Sequence, residues 1–353
     1  MDHPVASATI RAARLNDPAE CAAIDAYVRA AAGATPFHLT AWQLGVAEGC
    51  GQHAHCLTAE RGGAIVGLLP LTEVHSPLFG RALVSTGFAV GGGVLADDPL
   101  LVEPLAEAGW ALAETLSCPT LELRGGALPA GWARDDTSYL GFARPLAADD
   151  EAELLAIPRK QRAEVRRALG FDLDVAIGRD AAALRDHHAI YAASVHNLGT
   201  PVFPPTLFAR VLDRFGADAD ILTVAREGVP LASVLSLYFR GTVYPYWGGG
   251  TAGARTWRAN DLMYFALMRH ARARGCTRFD FGRSKTGTGA AAFKRNWGFG
   301  GVPLAYAARA AGGREPRRIN PLDPKYSAKV AAWRRLPLAV ANRIGPLIAR
   351  GLG

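Results

Sequence analysis

The sequence has few cysteines and no hydrophobic run long enough to span a membrane. Its five cysteines are odd in number and scattered over 353 residues, which excludes a disulfide framework and is typical of reduced core thiols. The longest apolar stretch, Val229 to Phe239, is far shorter than the about 20 residues that a membrane-spanning helix needs. The N-terminal region also lacks the basic segment and apolar core of a secretory signal. We therefore predict a cytoplasmic protein.

Three common ligand-binding motifs are also absent. Gly282 and Gly287 have the glycine spacing of a P-loop, but Thr288 stands where the phosphate-binding lysine is needed. Gly289 is followed by three alanines, so the third glycine of a dinucleotide fingerprint is missing. Residues 50–56 hold two cysteines and two histidines, but no second knuckle completes a structural zinc site. We predict no bound metal.

The charge of the chain is concentrated at its C-terminus. Half of the residues are hydrophobic and 20% are charged, which is typical of a globular protein, and 353 residues predict two domains. Residues 312–353 contain nine Lys or Arg against two acids, so they carry the whole net charge of +7. A basic tail of this kind predicts contact with a polyanion or an anionic membrane surface.

A weak self-similarity recurs after about 160 residues, as in a duplicated unit. Four features appear twice in the same order. They are a hairpin with a Gly turn (59–71 and 225–237), a triple glycine (91–93 and 248–250), an amphipathic helix (105–116 and 262–274) and an apolar strand that a cysteine opens (Cys118 and Cys276). Each repeat predicts a hairpin, a strand, a helix and a further strand, which is an α/β unit with a mixed sheet.

The repeat predicts how the chain is divided. The fold class is α/β (α+β), with two tandem lobes of mixed sheet and a basic amphipathic tail. The predicted first lobe is 1–150, the second is 151–311, and the tail is 312–353. In the second lobe we predict an opening helix at Leu184 to Asn197 and a last strand at Val302 to Ala308.

This order of elements resembles the GNAT fold and, more narrowly, the FemAB-like double-GNAT proteins, so the two lobes are expected to be GNAT-like. The segments that carry the resemblance are 36–42, 67–88, 157–169, 259–284 and 287–299. The pair FDFGRSK and FKRNWGF is closest to the FemAB-like branch that accompanies bacterial exopolysaccharide and PEP-CTERM (exosortase) loci. The resemblance implies transfer of an acyl or aminoacyl group to an amine.

The resemblance also bears on the donor. Better-known relatives take amino acids from aminoacyl-tRNA, and ordinary GNAT enzymes bind the pyrophosphate of acyl-CoA on a Gly-rich turn at a helix N-terminus. The equivalent turn here, Arg255 to Asn260, is bulky and lacks the glycines. This departure favours a tRNA-borne or carrier-borne donor over acyl-CoA, and we predict no tightly bound cofactor.

Amide formation needs a stabiliser for the tetrahedral oxyanion and a proton acceptor. The polar run that ends a buried strand supplies candidates, because open α/β sheets bind ligands at the C-terminal ends of strands. We predict that Lys294 stabilises the oxyanion or a donor phosphate, that Asp280 accepts a proton or orients the amine, and that Arg283 and Lys285, beside Ser284, clamp an anionic group. The alternative is that Asp280 caps the loop and the basic residues are solvated.

Four further positions are candidates for substrate binding. Tyr244 and Tyr246 share one face of a predicted strand and could line the acceptor site, although core packing is an equal alternative. Asn260 is a helix cap first and a ligand second. His196 lies near a helix C-terminus, where it could act as a base or serve as a cap.

Two basic segments complete the prediction. Arg159, Lys160, Arg162 and Arg166 include an i, i+3, i+7 series that gives one cationic face for a phosphate backbone such as that of tRNA, with a solvated linker helix as the alternative. Residues 326–352 combine apolar residues with arginines, and two prolines are expected to break the segment into short helices. It either lies on the inner face of an anionic membrane or packs on the body.

The predicted function is an acyl or aminoacyl transferase that forms an amide on an amine of a cell-envelope or exopolysaccharide precursor. The alternatives are an N-acyltransferase that depends on acyl-CoA or an acyl carrier, and a non-catalytic binding protein of a polysaccharide assembly system. The chemistry is predicted in the second lobe, because the first-lobe counterpart at residues 121–126 keeps an arginine but lacks the Ser-Lys pair.

Overall fold

The computed structural model describes residues 8–76, 80–313 and 324–352, which form two mixed sheets flanked by helices. The strands are β1 (Thr9–Ala12), β2 (His53–Arg61), β3 (Ala64–Ser76), β4 (Gly80–Ser85), β5 (Leu95–Ala96), β6 (Thr120–Arg124), β7 (Ala133–Asp135), β8 (Tyr139–Pro145), β9 (Asp174–Gly178), β10 (Ala219–Arg226), β11 (Val229–Phe239), β12 (Thr242–Gly250), β13 (Arg278–Lys285), β14 (Gly301–Pro303) and β15 (Tyr306–Ala310). The α-helices are α1 (Pro18–Ala30), α2 (Thr40–Cys50), α3 (Val102–Thr115), α4 (Asp150–Ala156), α5 (Arg159–Leu169), α6 (Ala181–Asn197), α7 (Pro205–Phe215), α8 (Ala259–Ala273), α9 (Gly289–Asn296), α10 (Pro324–Arg335) and α11 (Leu338–Ala349). The predicted α/β class is confirmed.

The two sheets repeat the same pattern of pairing. The first has the order β1-β2-β3-β4-β6-β15-β7, with β5 beside β3, and the second has the order β14-β8-β13-β12-β11-β10-β9. In each sheet an antiparallel hairpin (β2–β3 or β10–β11) is followed by a strand that pairs in parallel with the strand after the next long helix (β4–β6 or β12–β13). The internal repeat predicted from the sequence is therefore present in the structure.

The last strands of the repeats do not follow the predicted boundaries. After β7 the chain enters the second sheet, where β8 pairs with β13, and β15 pairs with β6 of the first sheet. The first compact unit therefore ends at Asp136 and also includes 305–313 and 347–352, whereas the second holds 137–304 and 324–346. This division differs from the predicted 1–150, 151–311 and 312–353, because hydrogen bonds between distant segments decide which sheet a strand joins.

The predicted last strand, Val302 to Ala308, is wrong as a single element. Its first part is β14, which pairs with β8, and its second part is β15, which pairs with β6 in the other sheet. The predicted opening helix of the second lobe is α6, which the Asp180 side chain caps by accepting from the Ala183 N–H at 2.8 Å. Helix α9 begins in the same way, with the Thr288 hydroxyl accepting from the Ala291 N–H.

An aromatic cluster forms the part of the second core that supports β13 and α9. Phe279 and Phe281 lie 5.1 Å apart between ring centroids, and Phe299 packs 4.9 Å from Phe281. The ring of Trp297, at the end of α9, is fully buried, as is that of Phe142 on β8. These large side chains hold α9 against the end of β13, which determines where the polar residues between them lie.

A buried ion pair connects α4 to the second sheet and gives a prediction for stability. The Glu153 side chain is completely buried, accepts from the Ala147 N–H at 2.8 Å and pairs with the guanidinium of Arg144. We expect Glu153→Ala to lower the free energy of unfolding by about 3 kcal/mol, because Arg144 and Arg272, whose side chains are only 14% and 13% exposed, lose the buried carboxylate that they pair with. Urea denaturation measures this change. The exposed Glu151→Ala on the same helix is the control, and an equal effect of both variants would contradict the assignment.

The C-terminal residues form two helices separated by Pro337. The other proline, Pro346, lies inside α11 and does not break it, contrary to the prediction, because the helix continues to Ala349. Helix α10 packs near the end of α6, where the Arg334 guanidinium donates to the Leu198 carbonyl at 3.2 Å. None of the helices in the described ranges is long and apolar enough to cross a membrane.

Candidate active site

The parallel strands β12 and β13 open a cleft in the second sheet. They pair only at Thr242 with Arg278 and at Val243 with Phe279; beyond these, in the residues that the structure describes, β12 pairs only with β11 and β13 only with β8. The remaining residues of β12 and of β13 therefore line two sides of an opening. The helices that follow the two strands, α8 and α9, begin beyond these strand ends.

A β-bulge in β13 shapes the side of the cleft that carries Asp280. The pairing with β8 shifts between Asp280 and Arg283, and Gly282 adopts a φ of 66°. Glycine takes this left-handed conformation without the steric cost of a Cβ. The turn brings the Gly282 N–H onto the Asp280 carboxylate, to which it donates at 2.8 Å.

Lys294 of α9 is anchored near the C-terminal end of β13, beside Asp280. Its ammonium donates to the Arg283 carbonyl at 2.8 Å and lies 5.4 Å and 5.6 Å from the ring centroids of Phe142 and Phe281. Burial lowers the pKa of Lys294 to about 8, the Asp280 charge opposes this shift, and the Arg283 charge adds to it. Lys294 is therefore mostly protonated at neutral pH, yet it can lose its proton more readily than an exposed lysine.

The same surroundings raise the pKa of the Asp280 carboxyl. Burial is the main cause, and the Gly282 hydrogen bond and the charges of Arg278 and Lys294 oppose it. Burial and the Asp280 charge together raise the pKa of the Tyr244 phenol. The structure thus brings Asp280, Lys294 and Tyr244 into one electrostatic neighbourhood, and titratable groups with such shifts are typical of functional sites.

The predicted anion clamp lies over an aromatic ring of β8. The Arg283 guanidinium is 4.7 Å and the Lys285 ammonium 5.6 Å from the ring centroid of Tyr139. Ser284 is buried, opposite Leu140, and alternation along the strand separates it from the two cations. The structure therefore brings Arg283 and Lys285 together and does not place Ser284 with them. Tyr139 was missed because its place beside β13 follows from the strand exchange.

A second bulge changes the expectation for the two tyrosines of β12. Pro245 pairs with Ser236 and Trp247 with Leu235, so Tyr246 is the extra residue of a bulge between them. The prediction that Tyr244 and Tyr246 share one face assumed that side chains alternate strictly along the strand. The bulge interrupts this alternation. The ring of Tyr246 instead packs edge-on to Trp247, with ring centroids 4.9 Å apart.

At the N-terminus of α8, where a GNAT enzyme would hold pyrophosphate, two carboxylates and Arg258 lie close together. Arg258, which begins the helix with a φ of 54°, pairs with Glu164 of α5 at 2.5 Å, and Gln161 of α5 donates to the Asp261 carboxylate. Burial raises the pKa of Asp261. Trp257 of this turn packs against Arg226, whose guanidinium carbon lies 3.4 Å from the ring centroid.

Asn260 packs tightly against the glycine end of β12. Its side-chain oxygen is buried and has no hydrogen-bond partner among the described residues, and a Cβ on Gly250 would lie 2.6 Å from it. At the neighbouring glycine, Gly249, a Cβ would lie 2.5 Å from the Cβ of Ser194 on α6. These two glycines allow the helices to approach β12 closely. The expected cap role of Asn260 is wrong in one respect, because Arg258 takes the N-cap position.

The histidines of α6 have structural surroundings. His187 is buried, its Nδ1 lies 2.9 Å from the Ser233 hydroxyl, and burial lowers its pKa to about 3. His196 lies in the last turn of α6, two residues after Ser194, and its Nε2 is buried without a hydrogen-bond partner among the described residues. The structure places His196 on α6, a helix that packs against β10, β11 and β12.

The basic segment that was predicted to be helical forms helix α5. Val165 and Ala168 are buried, and the helix packs against α8. Arg159, Lys160 and Arg166 are exposed and Arg162 is half-buried, so the cationic residues remain available at the surface. Gln161 and Glu164, which sequence reasoning missed, make the contacts with α8 described above. Their i, i+3 spacing was visible, but the helix they face was not.

The equivalent place in the first unit is filled by the chain itself. The Arg124 guanidinium, at the end of β6, donates to the carbonyls of Thr86 and Ala89 at 3.4 Å and 3.3 Å. A Cβ on Gly93 would lie 1.9 Å from the Gly125 carbonyl oxygen, so the glycine loop packs directly onto this strand end. The arginine predicted as the remnant of a site therefore has a structural role.

The described residues contain no group of three or more His, Cys, Asp or Glu side chains placed to hold a metal ion. Cys50 and Cys56, from the segment that has zinc-type residues, are buried thiols. Burial raises the pKa of each to about 12, so both remain protonated. A protonated thiol is a poor metal ligand.

Comparison with known proteins indicates the class of protein to which this site belongs. Residues 157–295 match the family model of the acetyltransferase (GNAT) domain. No curated protein is significantly similar to the chain in sequence. The matched segment covers α5 through most of α9 and thus includes every residue of the cleft on α8, β12 and β13. The predicted class, an acyltransferase of the GNAT type, is confirmed.

Solved structures resemble the whole chain in fold. FemX is similar with a TM-score of 0.64 at 16% identity, over 81% of this chain and 95% of that chain. The C-terminal domain of a putative lysylphosphatidylglycerol synthetase from Agrobacterium fabrum has a TM-score of 0.57 at 12% identity, over 82% and 91%. A tandem GNAT protein from the clavulanic acid biosynthesis pathway has 0.53 at 14%, over 87% and 100%. The fold is that of tandem GNAT proteins, as the FemAB-like resemblance implied.

Proposed function

We propose that this chain is a FemAB-like transferase that moves an aminoacyl or acyl group from a tRNA or a carrier to an amine. The acceptor that we propose is a cell-envelope or exopolysaccharide precursor, as in the PEP-CTERM-associated branch that the sequence resembles. The observation that carries the proposal is the neighbourhood of Asp280 and Lys294 in the cleft between β12 and β13.

The two groups suit the two halves of aminolysis. The amine nitrogen attacks the acyl carbon, a C–N bond forms, and the carbonyl oxygen becomes an oxyanion that the Lys294 ammonium stabilises. The Asp280 carboxylate takes the proton that the nitrogen loses, and its raised pKa makes it a stronger base than an exposed aspartate. The C–O or C–S bond to the donor then breaks, and the proton passes to the leaving atom.

The surroundings of α8 support a donor other than acyl-CoA. A pyrophosphate binds at a helix N-terminus because free N–H groups and the helix dipole favour negative charge. Here Glu164 and Asp261 already lie at that end, and a residue other than glycine occupies each position of the turn from Arg255 to Asn260. Asp261 and the bulk of the turn would oppose added phosphates, while the charge of Glu164 is balanced by its pair with Arg258.

The name of one structural neighbour agrees with an aminoacyl donor. It is a putative synthetase of lysylphosphatidylglycerol, a name that denotes a lysyl group on a lipid. The tandem GNAT protein, whose structure is described as lacking AcCoA, favours acyl-CoA as the alternative donor.

Isothermal titration of the purified protein distinguishes these donors. We expect heat of binding with aminoacyl-tRNA or an acyl carrier and none with acyl-CoA. The Lys294→Met variant should bind the same donor, because this lysine is proposed to act on the oxyanion. Saturable binding of acyl-CoA would replace this proposal with that of an acyl-CoA enzyme, and binding of no donor would favour a non-catalytic protein.

Helix α5 supplies a separate prediction about a tRNA-borne donor. We expect Arg159→Glu/Arg166→Glu to weaken tRNA binding by about tenfold or more at moderate salt, because each exposed cation that contacts phosphate releases a counterion. Filter binding over a range of salt concentrations measures the affinity and its salt dependence. The control is Arg185→Glu/Arg210→Glu, two exposed cations on α6 and α7. Equal losses in the two variants would show non-specific attraction only.

A further inference from the structure

Helix α11 exposes large apolar side chains to solvent, which is the reverse of the arrangement on an ordinary surface helix. Val340, Ile344 and Leu347, at i, i+4 and i+7 spacing, share one face, and their exposures are 43%, 36% and 60%. A surface helix normally turns its large apolar side chains towards the core. Here the large apolar residues face solvent.

The inner face of α11 is made of small residues. Ala341 and Ala349 are 2% and 0% exposed, and Gly345, between them, is buried. A Cβ on Gly345 would lie 3.2 Å from a methyl carbon and the backbone nitrogen of Val202. The helix is therefore seated closely on the protein by its alanine and glycine side, and this seating leaves the apolar face outward.

The charges around this face have one sign. From Pro324 to Gly353 the sequence has six Lys or Arg and no Asp or Glu. Arg343 is exposed on α11 and Arg350 directly after it, and Arg334 and Arg335 are exposed at the end of α10. An apolar strip beside cations matches the boundary between acyl chains and anionic headgroups, whereas a solvated helix would gain nothing from exposing branched aliphatic side chains.

We propose that α11 docks this protein on an anionic lipid bilayer, with Val340, Ile344 and Leu347 entering the headgroup boundary and Arg343 and Arg350 contacting lipid phosphates. The helix has 12 residues, so it lies in the surface and does not cross it. This docking is independent of the chemistry proposed for the cleft, and it would hold a membrane-linked acceptor near the enzyme.

Cosedimentation of the full chain with vesicles tests the docking. We expect binding to phosphatidylcholine vesicles that contain phosphatidylserine, weak binding to phosphatidylcholine alone, and loss of binding at high salt. Val340→Asn/Ile344→Asn/Leu347→Asn and Arg343→Glu/Arg350→Glu should each weaken binding by about tenfold or more. The control Leu100→Asn/Val229→Asn removes two side chains that are 81% and 59% exposed elsewhere, and it should bind normally.

Three outcomes would overturn the docking. They are no binding to the anionic vesicles, an unchanged affinity in both α11 variants, and a lipid-free dimer that the asparagine variant separates, which would make a second copy of the chain the occupant. Light scattering during size exclusion provides the last measurement, and circular dichroism shows that the variants fold. The Lys294→Met variant should bind vesicles normally, so failure of the transferase proposal and failure of docking are distinguishable.

Discussion

Replacing Lys294 by Met is expected to lower the rate of transfer by about 100- to 1,000-fold, the usual effect of removing one oxyanion stabiliser. Methionine keeps the length and apolar contacts of the lysine stem beside Phe142 and Phe281 but removes the ammonium. The acyl donor should still bind. The measurement is single-turnover transfer from the donor identified by titration to an amine acceptor.

The fold of the Lys294→Met variant should be at least as stable as the wild type at neutral pH. Because the pKa of Lys294 is lowered to about 8, the folded state binds this proton less tightly than the unfolded state. Protonated Lys294 therefore costs stability below pH 8, and the wild type regains it as the pH rises towards the lysine's ordinary range. Arg295→Ala, the exposed neighbour on α9, is the matched control. Full activity of Lys294→Met would remove Lys294 from the mechanism.

Replacing Asp280 by Asn is expected to lower the transfer rate by about 100- to 10,000-fold, the range attributed to a general base. The amide can still accept the Gly282 N–H, so the bulge should persist. Asp174→Asn, on the exposed strand β9, is the control for a lost carboxylate. Asp280→Asn at wild-type rate would leave the aspartate with the cap role that the sequence allowed.

The dependence of transfer on pH separates the two residues. Transfer needs the ionised Asp280, whose pKa is raised, and the protonated Lys294, whose pKa is about 8, so the rate should rise through acid pH and fall above pH 8. Asp280→Asn should remove the acid limb. Lys294→Arg should move the alkaline limb upward, because arginine stays protonated. A profile that lacks the limb near pH 8 in the wild type would argue against a catalytic ammonium.

The local elements were predictable because their signals are local. The two Gly-turn hairpins, the helices that became α3 and α8, and the strands that became β6 and β13 follow from periodicity and turn residues within short windows. The duplicated order of these elements then indicated the class of fold. The polar run after Phe279 could be recognised because it ends a buried strand.

What the sequence could not determine depends on contacts between distant segments. Local patterns do not show that β8 pairs with β13 in the second sheet or that β15 pairs with β6 in the first. The pairing of β8 with β13 places the Tyr139 ring under Arg283. The bulge at Tyr246 also arises from register with β11, which alters the face expected for that side chain.

The sequence by itself determined that this chain has two similar α/β units, that the polar cluster with Lys294 lies in the second, and that its C-terminus is basic. Only the tertiary structure decided which groups meet Asp280, that Gln161 and Glu164 of α5 contact the start of α8, and that α11 turns its small residues inward. Hydrophobic periodicity shows that a helix has two faces. The packing of Ala341 and Gly345 on the body decides which face of α11 is exposed to solvent.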